Sequence, residues 1–521
     1  MDEQSLTGIL SSELATASFG AALAAVLQPG DLVFLTGEMG AGKTALARAI
    51  IRSLTGPDTH VPSPTFTLVT PYDEARKPIW HADLYRLNAP EESFELGLVE
   101  ARDDHIILVE WPERAEGLLG TPNLTLTLSH HGATERAITL MGHEPQQFDL
   151  VRAAWARHQA RMHFLDTHSV ASDRPYLDPI TGDASARAYF RLTSDTHTNI
   201  VMDWPQGPDG PAIYDGQSYS QKAHLAENVV DFTTMVQWLT AHGFSAPRID
   251  AQDESHGLLL LEDLGATTIA DISDPAIRDH FYFEAIALLA ALHRLPPAPD
   301  RASYDKNVLT FETELFLDWY LPAHDVTVSD EARRHWRQIW HDLCLDVLHL
   351  PAVTVLRDYH SPNLLWLAER QSYHRIGLID VQDALAGSPA YDAVSLLQDA
   401  RIDIDPALTQ RGLQQYCQLA FAEGHETSEP GALDYSAQFT REFWLLGVQR
   451  NLKIAGIFHR LARRDGKPAY LKHVPRIETY ISAGLKHLPE MDAIRDWARQ
   501  YAPSIDWLVG HIENSAEKPK V

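Results

Sequence analysis

Two groups of residues in this chain have types and spacings that could do chemistry. The first is the run Gly37-Glu38-Met39-Gly40-Ala41-Gly42-Lys43-Thr44. Glycines there let successive backbone N–H groups turn inward around a phosphate with no Cβ in the way. Lys43 can reach the β- and γ-phosphates of a nucleotide, and the Thr44 hydroxyl can ligate Mg²⁺. The second group is Asp358, Asn363 five positions later, and Asp380 at the end of the apolar run Ile376-Gly377-Leu378-Ile379. That is the spacing of a kinase catalytic loop and its metal-binding aspartate. Asp358 can orient an acceptor hydroxyl and take its proton, while Asn363 and Asp380 supply the oxygen ligands Mg²⁺ prefers.

Each group needs elements that hold it. The apolar run Leu32-Val33-Phe34-Leu35 precedes the glycine loop, and residues 45–54 behind it carry apolar side chains at helical spacing. Strand, loop and helix in that order aim a helix dipole at the same anion. A helical stretch over residues 12–27 comes before, and an acidic, turn-rich segment over 88–100 comes after. A second apolar strand, Ile106-Ile107-Leu108-Val109, ends in Glu110, where such folds put the carboxylate that faces the metal. Asp83, after residues 79–82, is a second acidic candidate, whereas His81 alone reads as a satisfied or exposed histidine. Residues 124–140 alternate apolar and polar and suggest a closing pair of strands. The whole predicts a three-layer α/β nucleotide-binding domain over residues 1–150.

A polar connector at residues 143–147 leads to a helical pattern over 150–168, assigned here to a second domain, residues 151–521. No long Gly/Ser- or Pro-rich linker intervenes, so the domains are expected to pack. Gly182-Asp183-Ala184-Ser185 reads as a hairpin tip, with residues 199–203 as the returning strand. The apolar strand Leu258-Leu259-Leu260-Leu261 ends in Glu262-Asp263-Leu264, which could offer backbone groups to an adenine. Arg450, Lys453, Arg460, Arg463, Arg464 and Lys467 read first as the solvated face of an amphipathic helix, and second as a holder for an acidic ligand.

Composition bounds the partners. At 521 residues, two or three domains are expected, and 45% hydrophobic with 22% charged residues is the balance of a soluble globular protein. The net charge is −28; residues 1–150 carry 9 Lys+Arg against 21 Asp+Glu, so −12, leaving −16 for the rest. Neither part offers the basic field of a protein that grips nucleic acid by its phosphates. Two cysteines, an acidic start with no signal-peptide pattern, and no apolar run near membrane-spanning length predict a cytoplasmic protein that is not in a membrane.

Taken with Ser63-Pro64-Thr65-Phe66, His81-Ala82-Asp83-Leu84-Tyr85-Arg86 and Glu110-Trp111-Pro112-Glu113, the glycine loop resembles the TsaE (YjeE) family. That family is the P-loop ATPase subunit of the bacterial machinery that places threonylcarbamoyl on tRNA. The resemblance implies ATP on residues 37–44, Mg²⁺ on Thr44 and Glu110, phosphates on Lys43, and a switch-like loop at 63–66. It implies that Asp83 supports hydrolysis or its coupling to partners. Those partners would be TsaB- and TsaD-like subunits, with tRNA met only indirectly.

The motifs at 182–185, 258–265, 358–363 and 379–380 resemble the aminoglycoside-phosphotransferase/choline-kinase superfamily, an α+β protein-kinase-like fold. By that resemblance Gly182, Ser185, Glu262 and Leu264 would line ATP. Asp318-Trp319-Tyr320, residues 391–401 and Gln449-Arg450-Asn451-Leu452-Lys453 are more similar to the AmgK-like anomeric sugar kinases. These phosphorylate the amino sugars N-acetylmuramate and N-acetylglucosamine at C1 in peptidoglycan recycling. One departure stands out: the strand at 199–203 has Val-Met-Asp where a protein kinase carries a lysine, and Lys222 lies nearby only in sequence. The alternatives are phosphorylation of another hydroxyl acceptor, such as an aminoglycoside or a choline-like alcohol, or a non-catalytic sugar-sensing module that regulates the ATPase.

Overall fold

The computed structural model describes residues 5–143, 145–168, 176–180, 187–193, 198–205, 216–421 and 434–510. The chain forms two compact units, Met1–Gly207 with Ile249–Asp263, and Pro208–Arg248 with Leu264–Val521.

The first unit holds two sheets. Strands β1 (Ser5–Leu10), β2 (Leu32–Gly37), β3 (Val69–Tyr72), β4 (Ile79–Asp83), β5 (Ile106–Glu110), β6 (Leu124–His130) and β7 (Arg136–Gly142) form the larger one, in the order β1-β7-β6-β2-β5-β4-β3. Strand β2 pairs in parallel with β5 and β6, and β4 in parallel with β5. Every residue of β5 is buried, as parallel strands covered on both faces require. Its side chains alternate between two cores. Ile106 and Leu108 pack with helices α1 (Glu13–Val26) and α2 (Lys43–Thr55), while Ile107 and Val109 pack with Leu84, Leu98, Ala115 and Leu119 on the other face. Ser12 caps α1 by accepting from the Ala15 N–H at 3.1 Å.

The smaller sheet comprises β8 (Tyr176–Ile180), β9 (Ala188–Thr193), β10 (Thr198–Asp203), β11 (Ile249–Asp253) and β12 (Leu258–Glu262), all antiparallel, in the order β11-β12-β10-β9-β8. Between the sheets the chain is one unbroken helix, α3 (Pro145–Thr167). The expected connector therefore ends at Pro145, and residue 150 falls inside the helix. Val151, Ala154 and Trp155 of α3 join the core of the larger sheet. Between two and three turns further on, Phe164 and Leu165 join Leu177, Phe190, Leu192, Val201 and Leu260 in the core of the smaller sheet. A Cβ on Gly8 of β1 would lie 2.0 Å from the Trp155 ring, so only glycine admits the helix this close.

Polar groups on α3 are buried as deeply. Arg161 donates from Nε to Asp203 at 2.8 Å and from Nη1 to the Ser18 carbonyl of α1 at 2.9 Å, and Arg157 donates from Nε to the other oxygen of Asp203 at 2.6 Å. His158, 3% exposed, shares a 3.1 Å hydrogen bond with the Ser18 hydroxyl. Burial, helped by the charge of Arg161, lowers its pKa to about 4. The unfolded chain takes up that proton near pH 6.5 and the folded one does not, so this unit loses stability as pH falls between those values. Urea unfolding at pH 7 and pH 5 should show about 2 kcal/mol of loss from this group, absent in His158→Gln. Equal pH slopes in the two proteins would refute the assignment.

In the second unit two short antiparallel pairs, β13 (Val353–Val355) with β16 (Leu385–Gly387) and β14 (Leu364–Trp366) with β15 (Ile376–Leu378), frame the loops at 356–363 and 379–384. The rest is helical, around a core that includes Trp336, Trp340 and Trp497. The 30-residue helix α5 (Tyr435–Arg464) crosses α4 (Lys306–Leu315), and a Cβ on Gly456 would meet the Leu315 backbone at 2.3 Å. Among the described residues no helix is long and apolar enough to cross a membrane.

Candidate functional site

In the first unit the loop 37–44 joins β2 to α2 as expected. Gly37, Gly40 and Gly42 have φ of 131°, 78° and 102°, a region that favours glycine. A Cβ on Gly37 would also stand 2.1 Å from the Leu128 carbonyl oxygen of the neighbouring strand. The Lys43 ammonium donates to the carbonyls of Gly37 and Glu38 at 2.7 and 2.8 Å and lies 3.8 Å from the centre of the Trp111 ring. Burial lowers its pKa from the ordinary lysine value, against the pull of Glu110, Glu113 and Asp83. Met39 at the loop tip is exposed.

The parallel pairing of β4 with β5 puts Asp83 directly opposite Glu110. Glu110 accepts from the Thr44 hydroxyl at 3.0 Å with one oxygen and meets His81 Nε2 at 3.0 Å with the other. His81 is fully buried and its Nδ1 has no hydrogen-bond partner among the described residues. It is a satisfied histidine on one nitrogen only, and what it satisfies is the candidate metal carboxylate, which residue type and spacing did not reveal. A hydroxyl and a carboxylate oxygen meeting between a strand end and a helix start are hard donors suited to Mg²⁺. Asp83 accepts from Ser63 at 3.0 Å, from Thr65 at 2.6 Å and from the Tyr85 N–H at 3.0 Å. Two side chains of the loop 63–66 are therefore tied to the carboxylate beside Glu110. Phe66 of that loop is 81% exposed and carries the Arg86 guanidinium over its ring at 4.1 Å.

In the second unit the loop 356–363 is held from below by carboxylates. Asp392 accepts from the Leu356 and Arg357 N–H groups at 2.6 and 2.9 Å, and Asp399 accepts from the Ser361 N–H and hydroxyl. Arg357 sits at φ 66° and Asp380 at φ 62°, left-handed conformations that cost a non-glycine residue roughly 1–3 kcal/mol and persist where surroundings over-determine them. The Arg357 guanidinium is one of several partners of fully buried Glu312, with Tyr304 and Lys453, the last at 2.8 Å. Asp358 is free of this packing, its side chain 45% exposed, with His360 Nε2 at 3.9 Å. Desolvation works against its ionisation, but His360, Lys453, Arg450 and Arg357 outweigh it and hold the carboxyl below its usual range. Burial brings His360 down to about 4, so the ring is neutral at pH 7.

Asn363 donates from its amide nitrogen to the Asp358 carbonyl at 3.1 Å, which orients its amide oxygen as the group left for a cation. The Ile379 N–H donates to the Asn363 carbonyl at 3.2 Å, bringing the Asp380 loop alongside, and Asp380 accepts from Gln382 at 3.2 Å. Asp358, Asn363 and Asp380 thus belong to one corner of this unit. Gly182 and Ser185 lie outside the described residues. Glu262 closes β12 of the first unit, and Leu264 begins a segment of the second. The Lys222 ammonium lies 5.3 Å from the Phe311 ring centre, within the second unit. The solvated-face reading of the basic run fails at Arg450 and Lys453, which α5 turns inward, and holds for exposed Arg463 and Arg464.

These features define a P-loop nucleotide-binding domain joined to a phosphotransferase of the protein-kinase-like class. Residues 10–138 match the family described as "Threonylcarbamoyl adenosine biosynthesis protein TsaE", and residues 177–429 match the "Phosphotransferase enzyme family". An N-acetylmuramate/N-acetylglucosamine kinase of Caulobacter vibrioides is 32% identical over 67% of this chain and 97% of its own length. One from Pseudomonas aeruginosa is 35% identical over 60% of this chain and 85% of its own. The tRNA threonylcarbamoyladenosine biosynthesis protein TsaE of Rickettsia bellii is 45% identical over 23% of this chain and 83% of its own length. The chain belongs to the TsaE family through its N-terminal part and to the N-acetylmuramate/N-acetylglucosamine kinase family through the remainder. It is an enzyme on both counts.

Proposed function

We propose that this chain is bifunctional and cytoplasmic. Residues 1–150 would act as the ATPase of tRNA threonylcarbamoyladenosine formation, and residues 151–521 would transfer the γ-phosphoryl group of ATP to C1 of N-acetylmuramate or N-acetylglucosamine in cell-wall recycling. The observation that carries the second half is the corner where an ionised, accessible Asp358 stands beside Asn363 and Asp380 on a backbone clamped by Asp392 and Asp399.

In the ATPase, Lys43 and the N–H groups of residues 37–44 would bind the phosphates, and Thr44 and Glu110 would hold Mg²⁺. His81 fixes the Glu110 carboxylate, and Asp83 reports the state of the loop 63–66 to TsaB- and TsaD-like partners, which meet the tRNA. In the kinase, Asn363 and Asp380 would hold Mg²⁺, which when bound would neutralise charge on the transferring group. Asp358 aligns the C1 hydroxyl for in-line attack; as its oxygen bonds to the γ-phosphorus and the bond to ADP breaks, the proton passes to the Asp358 carboxylate. The test is to incubate the full chain with ATP, Mg²⁺ and each amino sugar and to locate the phosphate by NMR. Phosphate on C1 is expected; phosphate on C6 or no sugar phosphate would refute the reading.

A further inference from the structure

The helix α5 places Arg450 and Lys453 one turn apart on its inner side, and the two cations fare differently. Lys453 is paired with Glu312 at 2.8 Å. Arg450 is 4% exposed, its Nη1 is buried without a hydrogen-bond partner, and among the described residues it forms no ion pair. An unpartnered guanidinium at this depth is costly, because a buried charge is as a rule paired, and an arriving anion would relieve it. Of the carboxylates around it, both Asp392 oxygens accept backbone N–H groups, Glu312 is shared among Tyr304, Arg357 and Lys453, and Asp358, whose carboxyl its charge helps hold ionised, is the group that addresses the acceptor hydroxyl. Its neighbours on α5 place it beside the corner that meets the acceptor hydroxyl: Lys453 reaches Glu312 and through it Arg357, the residue before Asp358, and Asn451 donates to Gln398 at 2.7 Å, next to the Asp399 that holds Ser361. The charge of Arg450 is felt at Asp358, His360 and Asp392 accordingly. A planar fork of this kind matches a carboxylate in bidentate fashion. The two named sugars of the relatives differ by one feature of that chemistry, the lactyl carboxylate of N-acetylmuramate.

We infer that Arg450 is the specificity-determining residue for the acidic sugar, receiving its carboxylate while Asp358 addresses the C1 hydroxyl. The inference rests on the kinase reading above. The ratio of kcat/KM for N-acetylmuramate to that for N-acetylglucosamine should fall about 10- to 100-fold in Arg450→Gln, and Arg450→Lys should recover only part of it. The wild type offers a parallel measurement that needs no variant. Against N-acetylglucosamine, the methyl ester of N-acetylmuramate should show the reduced ratio that Arg450→Gln shows with the free acid. An equal loss on both sugars would assign Arg450 to the phosphoryl donor or to packing and overturn the inference, as would an ester used as well as the acid. A wild type that phosphorylates neither sugar would overturn the kinase reading itself.

Discussion

Lys43→Ala is expected to lower ATP hydrolysis by the N-terminal domain about 10²- to 10³-fold and to stop threonylcarbamoyl transfer in a reconstituted tRNA assay, while sugar phosphorylation continues. The ammonium is the cation of the loop 37–44, lying between two loop carbonyls and the Trp111 ring. Its partial desolvation makes it a stronger electrostatic partner for phosphate than a solvated lysine. The two carbonyls it leaves belong to the last residue of β2 and the residue after it. Steady-state hydrolysis with and without the partner subunits measures the effect, and unimpaired hydrolysis would remove Lys43 from the site.

The reciprocal result is expected for Asp358→Asn: sugar phosphate formation falls about 10²- to 10⁴-fold, and ATP hydrolysis with tRNA modification stays at the wild-type level. The substitution keeps shape and removes the charge and the proton acceptor. The loop should keep its conformation, because Asp392 and Asp399 hold its backbone. A kcat that fell without a rise in KM would place the effect in the transition state. Sugar phosphorylation unaffected by the change would end the assignment of Asp358.

What was legible in the sequence was whatever the chemistry compresses into a few neighbouring residues. Phosphate binding needs glycines, a lysine and a hydroxyl within eight positions, and residues 37–44 spell that out. Asp358 and Asn363 are likewise set by one short loop. Glu312 was invisible for the opposite reason: its partners are at positions 304, 357 and 453, and only the fold brings them together. The bond between His81 and Glu110 arises from strand register, which a single histidine does not announce. Helix α3 was foreseen as a helix, but periodicity tells which face is apolar and not what lies against it. Its first turns belong to the core of one sheet and its last to the core of the other. Arg450 was read first as solvated because arginine usually is, and its burial on α5 is set by tertiary packing that no local pattern encodes.

The claim underlying all of this is that one chain carries two separate nucleotide sites of unrelated design. Native mass spectrometry of the full chain with Mg²⁺ and a non-hydrolysable ATP analogue counts them directly. Two analogue molecules per chain are predicted, falling to one in Lys43→Ala. A wild-type stoichiometry of one, or the loss of both molecules in that variant, would contradict it.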